Sequence, residues 1–288
     1  MFVLFTDTNT DLTLKHAKEY GWNLILMPYT INDVNFYPYK ENEFNSKEFY
    51  DLLRTGVVPK TFALNPEQYI EYFEPYFEKG MDILYVHFSR NMSGTFNSLN
   101  IALEDLKEKY PERTCYLVDT KGVSVCSLNI IYEIEKLVKE GKTPEEIVNW
   151  SKEEVDHFAT YFYADNLTFF KASGRVSNMS ATLGNVFGVH PIIYMSDEGQ
   201  LVNIAKVKGK KSSLRKLVSY VEELGDDIKA YNVIIAHTDN IELATLLKNM
   251  LIEKFGDDLT ISFSVVNPTI GGHCGPDCIG VSFHSKKR

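Results

Sequence analysis

Ile83-Leu84-Tyr85-Val86-His87-Phe88 runs into Ser89-Arg90-Asn91-Met92-Ser93-Gly94-Thr95, and from Phe96 onward apolar residues recur at Leu99, Ala102, Leu103 and Leu106. The first block is rich in β-branched and aromatic side chains, the composition of a strand buried on both faces of a parallel sheet. The last has the three-and-four spacing of one helix face. The polar block between them is therefore a strand-to-helix turn. Ser93, Gly94 and Thr95 lie where free backbone N–H groups and the positive end of a helix dipole suit an anion, either a phosphate or a carboxylate. Ser and Thr ahead of a helix also serve simply as caps, contributing about 1 kcal/mol, and the turn alone leaves both readings open. Neither G-x-x-x-x-G-K-[ST] nor a G-x-G-x-x-G following a strand occurs in the chain.

The same alternation extends in both directions. Val3-Leu4-Phe5 reads as a first strand, followed by the polar turn Thr6 to Asp11 and a helix stopped at Gly21. Asp7 falls at the carboxyl end of that strand, where open α/β sheets gather ligands. Leu24 to Thr30 is the next expected strand, Ile31 to Tyr37 a small hairpin, and Asn45 or Ser46 the start of a helix stopping at Gly56. Val57 to Leu64 is expected to be a loop. Asn65-Pro66-Glu67-Gln68 then opens a helix with cap, proline and capping-box glutamine, which leaves the Thr61 hydroxyl without an evident structural role. Cys115 to Asp119 is a fourth strand, Gly122 to Glu140 a long helix, and Thr143-Pro144-Glu145-Glu146 the start of a linking helix. Strands and helices alternating at this spacing imply βαβ crossovers and a parallel sheet covered on both faces, an α/β/α domain over residues 1–155.

Beyond it the pattern changes. Ala159 to Ala164 reads as a strand, Asn166 to Ala172 as a short helix, Gly174-Arg175-Val176-Ser177 as a tight turn and Met179 to Phe187 as a helix. His190 to Met195 and Gln200 to Val207 form a hairpin about Ser196-Asp197-Glu198-Gly199. Further strands are expected at Tyr231 to His237, Leu259 to Val266 and Cys278 to His284, with helices at Ser212 to Leu224 and Ile241 to Phe255. Residues 156–288 are thus expected to form a smaller α+β domain with a mixed or antiparallel sheet.

Composition narrows the function. At 288 residues, 44% hydrophobic and 24% charged, the chain is that of an ordinary globular protein. Thirty basic against thirty-nine acidic residues, a net charge of −9, argue against a nucleic-acid partner. No apolar run reaches membrane-spanning length and no basic leader precedes Val3, so a cytoplasmic protein without an integral membrane segment is expected. The four cysteines, at 115, 126, 274 and 278, read as small buried hydrophobes rather than a disulfide frame. His273-Cys274-Gly275-Pro276-Asp277-Cys278 lacks the second paired set of a structural zinc site, and no metal is expected.

Several segments fall together into one register: Thr6-Asp7-Thr8, Pro59-Lys60-Thr61, Phe88-Ser89 with Ser93-Gly94-Thr95, Val118-Asp119-Thr120, Gly174-Arg175-Val176-Ser177, Pro191-Ile192-Ile193 and His273-Cys274-Gly275-Pro276. In order and spacing, over nearly the whole chain, this set resembles the DegV family. The resemblance implies an N-terminal parallel α/β domain and a smaller C-terminal one with a long-chain fatty acid held between them. It also implies a non-catalytic role, the fatty acid-binding subunit of bacterial fatty acid kinase. Such a subunit presents the acyl carboxylate to a separate kinase protein, which makes acyl phosphate for phospholipid synthesis. By this resemblance Ser93 and Thr61 bind the carboxylate, with Gly94 and Thr95 in the same turn, and Arg175 and His273 lie near it. No cofactor besides the bound lipid is implied, and transient membrane contact is open to such a protein. Two segments depart from the family's usual pattern. Lys206-Val207-Lys208-Gly209-Lys210-Lys211 carries no arginine, and Asp277 stands where a glycine is common. The lysine cluster reads as a solvated face, with partner docking as the alternative.

The chemistry is consistent with such a ligand. Burying about fifteen methylenes at roughly 0.8 kcal/mol each gives on the order of 12 kcal/mol before ordering costs, whereas each hydrogen bond to a charged head adds about 1.5 to 3 kcal/mol. The tail supplies affinity and the head direction. Eighteen Phe and seventeen Tyr can line a channel, although aromatics equally fill cores. Two other readings use the same residues: a hydrolase or acyltransferase with Ser93 as nucleophile and His273 as base, though no G-x-S-x-G elbow is present, or a nucleotide- or phosphate-binding module built on the Ser93 turn.

Overall fold

A computed structural model of the chain describes residues 1–40, 44–165, 167–177 and 188–288. In the first half, β1 (Phe2–Asp7), α1 (Leu14–Tyr20), β2 (Trp22–Ile25), β3 (Tyr29–Ile31), β4 (Val34–Phe36), α2 (Ser46–Arg54), β5 (Lys60–Thr61) and α3 (Pro66–Phe77) precede β6 (Asp82–His87). Then come α4 (Thr95–Lys109), β7 (Cys115–Asp119), α5 (Val125–Lys139) and α6 (Pro144–Glu154). The second half contains β8 (Phe158–Tyr163), α7 (Leu167–Ser173), β9 (Val176–Ser177), β10 (Val189–Met195), β11 (Leu201–Lys208) and α8 (Lys210–Leu224). It ends with β12 (Val233–His237), α9 (Ile241–Phe255), β13 (Ile261–Val265), α10 (Pro268–Cys274) and β14 (Ile279–His284). The expected helix at Met179 to Phe187 lies outside the described residues.

The first sheet is parallel, in the order β2-β1-β6-β7. The chain leaves β1 toward β2 on one side and returns to β6 on the other, so the crevice beyond the carboxyl ends of β1 and β6 is the topological switch point. Asp7 closes the base of that crevice: it is buried, and its carboxylate accepts from Asn9 N, Phe88 N and Tyr85 OH at 3.0, 3.2 and 3.1 Å. The second sheet is mixed, in the order β13-β12-β14-β8-β10-β11-β9, mainly antiparallel with parallel pairs β12·β13 and β11·β9. These two sheets give the expected α/β class, a parallel domain and a mixed-sheet domain.

Helix α5 belongs to both halves. Its residues Val125, Cys126, Leu128, Ile130, Ile131 and Ile134 are buried, an apolar surface wider than one stripe. All but Cys126 cluster with Leu4, Val86 and Val118 of the parallel sheet and with Phe158, Ile234 and Ala236 of the mixed one.

Two local expectations are corrected, and one further element appears. The strand expected over Leu24 to Thr30 is two strands: β2 in the parallel sheet and β3 in a small separate antiparallel sheet, β4-β3-β5. Pro28, with no N–H, separates them, while Leu26 N and Met27 N donate to Tyr72 OH and Thr8 Oγ1 at 3.1 and 3.0 Å instead of to a strand. The loop expected over Val57 to Leu64 contains β5, which pairs Thr61 with Tyr29. His273 is carried by α10, a helix not foreseen from the sequence, started by the cap of Asn267 and by Pro268 in its first turn.

Candidate functional site

A cavity of about 180 Å³ opens between the two sheets at the switch point. It exceeds the roughly 150 Å³ that accommodates a benzene in a protein core. Its depth is lined by buried Val123, Met195, Leu201, Ala236, Cys274 and Ile279, drawn from both halves of the chain. At its mouth stand Thr61, Ser93, Gly94, Arg175 and His273, of which Gly94 and Arg175 are exposed and the other three half-buried.

Ser93 reaches the cavity because the segment after β6 is held from the other half. Ser89 Oγ donates to Gly199 O at 2.7 Å and Asn91 Nδ2 to Glu198 O at 2.6 Å, both in the β10–β11 turn. A Cβ at Gly199 would sit 2.3 Å from Ser89 Oγ, so this approach requires glycine there. Ser93 Oγ accepts from Thr95 N at 3.2 Å, a local turn bond just ahead of the Gly94 cap, while the side chain also faces the cavity.

Thr95 is placed differently. It is buried, its Oγ1 accepts from Leu64 N at 3.2 Å and shares a hydrogen bond with Tyr69 OH at 2.9 Å, and it does not line the cavity. It joins α4 to α3.

Thr61 and His273, 212 residues apart, meet at the mouth with Oγ1 and Nε2 3.0 Å apart. β5 carries the first and α10 the second. Burial pushes the His273 imidazole down to about 4, and the positive charge of Arg175 acts in the same direction, so the ring is neutral at pH 7. Arg175 NH1 donates to Ser173 O and its charge remains at the rim. No hydrogen bond links Ser93 to His273, and the imidazole is far from the near-neutral value that suits a general base.

The cysteines are free thiols, with Cys126, Cys274 and Cys278 buried and Cys115 half-buried. Cys278 Sγ donates to Cys274 O at 3.2 Å, and both line the cavity. Among the described residues, no cluster of three or more His, Cys, Asp and Glu could hold a metal, and no helix is long and apolar enough to cross a membrane. Asp277 adopts φ 63°, a left-handed backbone that Asp tolerates better than most residues. It receives hydrogen bonds from Asn240 Nδ2 at 2.8 Å and Arg54 NH2 at 3.3 Å. The lysine cluster 206–211 spans the end of β11 and the start of α8, where Lys210 pairs with Asp165 at 3.1 Å.

The apolar wall of the cavity was not legible in the sequence, because no local pattern marks a residue as lining a space that two domains enclose together. Nor did the sequence single out Asp11 and Asn267, which tie the two halves beneath the site. The only local signal was the cap-and-proline pair Asn267-Pro268.

A family model described as "Uncharacterised protein, DegV family" matches residues 1–286. A DegV domain-containing protein of Clostridium perfringens is 34% identical over 283 residues, covering 98% of this chain and 97% of that one. Among solved structures, a DegV lipid binding protein from Thermotoga maritima superposes with TM-score 0.84 at 24% identity, covering all of both chains. A stearic acid-binding protein from Eubacterium ventriosum gives 0.87 at 18%, covering 99% of each. At these identities the structural likeness is one of fold.

Proposed function

We propose that this chain, which belongs to the DegV family, binds one long-chain fatty acid between its two domains, divided near residue 155, with the tail in the apolar cavity and the carboxylate at its mouth. Members of its fold are described as lipid-, fatty acid- or stearic acid-binding proteins, and the site residues fit such a ligand. The observation that carries the reading is that two neutral hydroxyls from separate segments, Ser93 and Thr61, line one apolar cavity. Ser93 Oγ accepts from Thr95 N, which leaves its O–H to donate. Thr61 Oγ1 and the neutral His273 ring share a hydrogen bond, so the pair can turn one donor toward a ligand. A carboxylate can only accept. Neutral donors hold the head group without covering it with countercharge.

That arrangement suits a protein that presents the carboxylate to a separate fatty acid kinase, the acyl phosphate then feeding phospholipid synthesis in the cytoplasm. The exposure of Gly94 and Arg175 beside the half-buried hydroxyls gives a partner access to the head. The protein itself then performs no bond-breaking step. A Ser93 hydrolase is less well supported, since His273 at the mouth bonds Thr61 and is a weak base. A phosphate-binding module fits poorly with the apolar depth behind the Ser93 turn.

The test combines the delipidated chain, palmitic acid, ATP and a bacterial fatty acid kinase, with acyl phosphate followed by trapping with hydroxylamine. Formation that depends on this chain supports the reading. A rate equal to that of kinase and lipid alone contradicts it.

A further inference from the structure

Asp11 lies at the end of the turn after β1, on a left-handed backbone with φ 58°, and only 1% of it is exposed. Its Oδ1 accepts from Asn267 N at 2.9 Å and Asn267 Nδ2 at 2.6 Å, and its Oδ2 accepts from Ser124 Oγ. All three partners are donors, the set that an ionised carboxylate satisfies. Ser124 lines the cavity and begins α5 in the first half, whereas Asn267 begins α10 in the second. Asn267 Oδ1 in turn accepts from Thr269 N at 2.8 Å and Ile270 N at 3.4 Å, fixing the first turn of the helix whose last turn carries His273.

The rest of α10 is seated just as closely. Tyr50 OH donates to Val266 O at 2.6 Å, immediately before the cap. A Cβ at Gly272 would lie 3.2 Å from Pro59, beside β5, which carries Thr61. The Thr61–His273 contact therefore forms between two elements whose separation depends on how both ends of α10 are seated. We infer that Asp11 is a positioning residue for the head-group end of the site: by holding Asn267 it sets where α10 places His273, and through His273 it orients the Thr61 hydroxyl toward the ligand's carboxylate. This inference rests on the proposed fatty acid reading.

A head-group role separates from a merely structural one by comparing two ligands of equal tail length. Delipidated wild type and Asp11→Asn are titrated with palmitic acid and with hexadecan-1-ol, by displacement of a fluorescent lipid probe, with circular dichroism to verify folding. A hydrogen bond to a charged head group is worth about tenfold in affinity or more. Asp11→Asn is expected to bind palmitic acid about tenfold more weakly and the alcohol within about twofold of wild type. Equal losses for both ligands, or no loss for either, would overturn the inference. Should Asp11→Asn fail to fold, Asn267→Ser keeps a capping hydroxyl while removing the Nδ2 bond to Asp11, and the same selective loss is expected of it. Thr61→Val in the same assay keeps the two levels apart. If it discriminates acid from alcohol and neither Asp11→Asn nor Asn267→Ser does, the positioning role alone falls. If Thr61→Val also treats both ligands as wild type does, the head-group reading falls and takes the inference with it.

Discussion

In the proposed complex, Ser93 and Thr61 would divide the work with the tail unequally. A single neutral hydrogen bond is worth about 0.5–1.5 kcal/mol and one to a charged group about 1.5–3 kcal/mol, against on the order of 12 kcal/mol gross from a buried acyl chain. Ser93→Ala is accordingly expected to weaken palmitic acid binding by about tenfold or somewhat more, yet to reduce acyl phosphate formation by a larger factor, because phosphoryl transfer needs the carboxylate held in one orientation. Calorimetry alongside the coupled kinase assay measures both, and equal losses would refute this division. His273 makes a second prediction, on pH. Its folded value of about 4 lies below the ordinary 6.5, so between these values the unfolded chain binds more protons than the folded one. The stability at stake is fully present above pH 6.5 and is lost as pH falls toward 4. Asp7 and Asp11, pushed up to about 7 and about 6 by burial, act with the opposite sign but are common to wild type and variant. The stability difference between wild type and His273→Asn should therefore shrink as pH is lowered through that window, as read by urea unfolding. A constant difference would show that His273 does not titrate as its burial implies.

Among the elements, those that announce themselves by capping chemistry were legible. Asn65-Pro66-Glu67-Gln68 and Thr143-Pro144-Glu145-Glu146 both form the capping boxes that their spacing predicts. Helix α10 was not legible, for a physical reason. Gly271 and Gly272 each cost about 1 kcal/mol of helix propensity, and seven residues are too few for a periodic face. The helix exists because packing outweighs propensity. A Cβ at Gly271 would lie 2.2 Å from Tyr50 OH, so the glycine that weakens the helix in isolation lets it dock. Gly271→Ala is expected to destabilise the fold by about 1–3 kcal/mol, the usual cost of overpacking. Combining it with Tyr50→Phe, which removes the obstructing hydroxyl, should cost less than the sum of the single changes. Additive losses in thermal unfolding would show that the two side chains do not contend for the same space. The same logic explains β5: two residues of strand carry no periodicity of their own, and only their pairing with β3 reveals them.

At the level of the whole molecule, the class of each sheet follows from how strands and helices alternate along the chain, because a parallel strand must be reached by a crossover and a hairpin need not be. What the chain order does not disclose is the space left between the sheets. Its wall combines Val123 from the first half with Met195, Leu201, Ala236 and Ile279 from the second, residues that share no sequence pattern and meet only through α5 and the switch-point crevice. Thr61 and His273 illustrate the same point in a single contact: each was singled out separately, while their hydrogen bond across 212 positions belongs to the assembled fold. In the proposed function this space between the sheets holds one acyl chain. That occupancy is tested most directly by extracting the protein, purified from a bacterial host, with organic solvent and quantifying fatty acids by mass spectrometry. Long-chain fatty acid at close to one per chain is expected, whereas extracts no richer than those of an unrelated protein purified in parallel would refute an acyl-chain site.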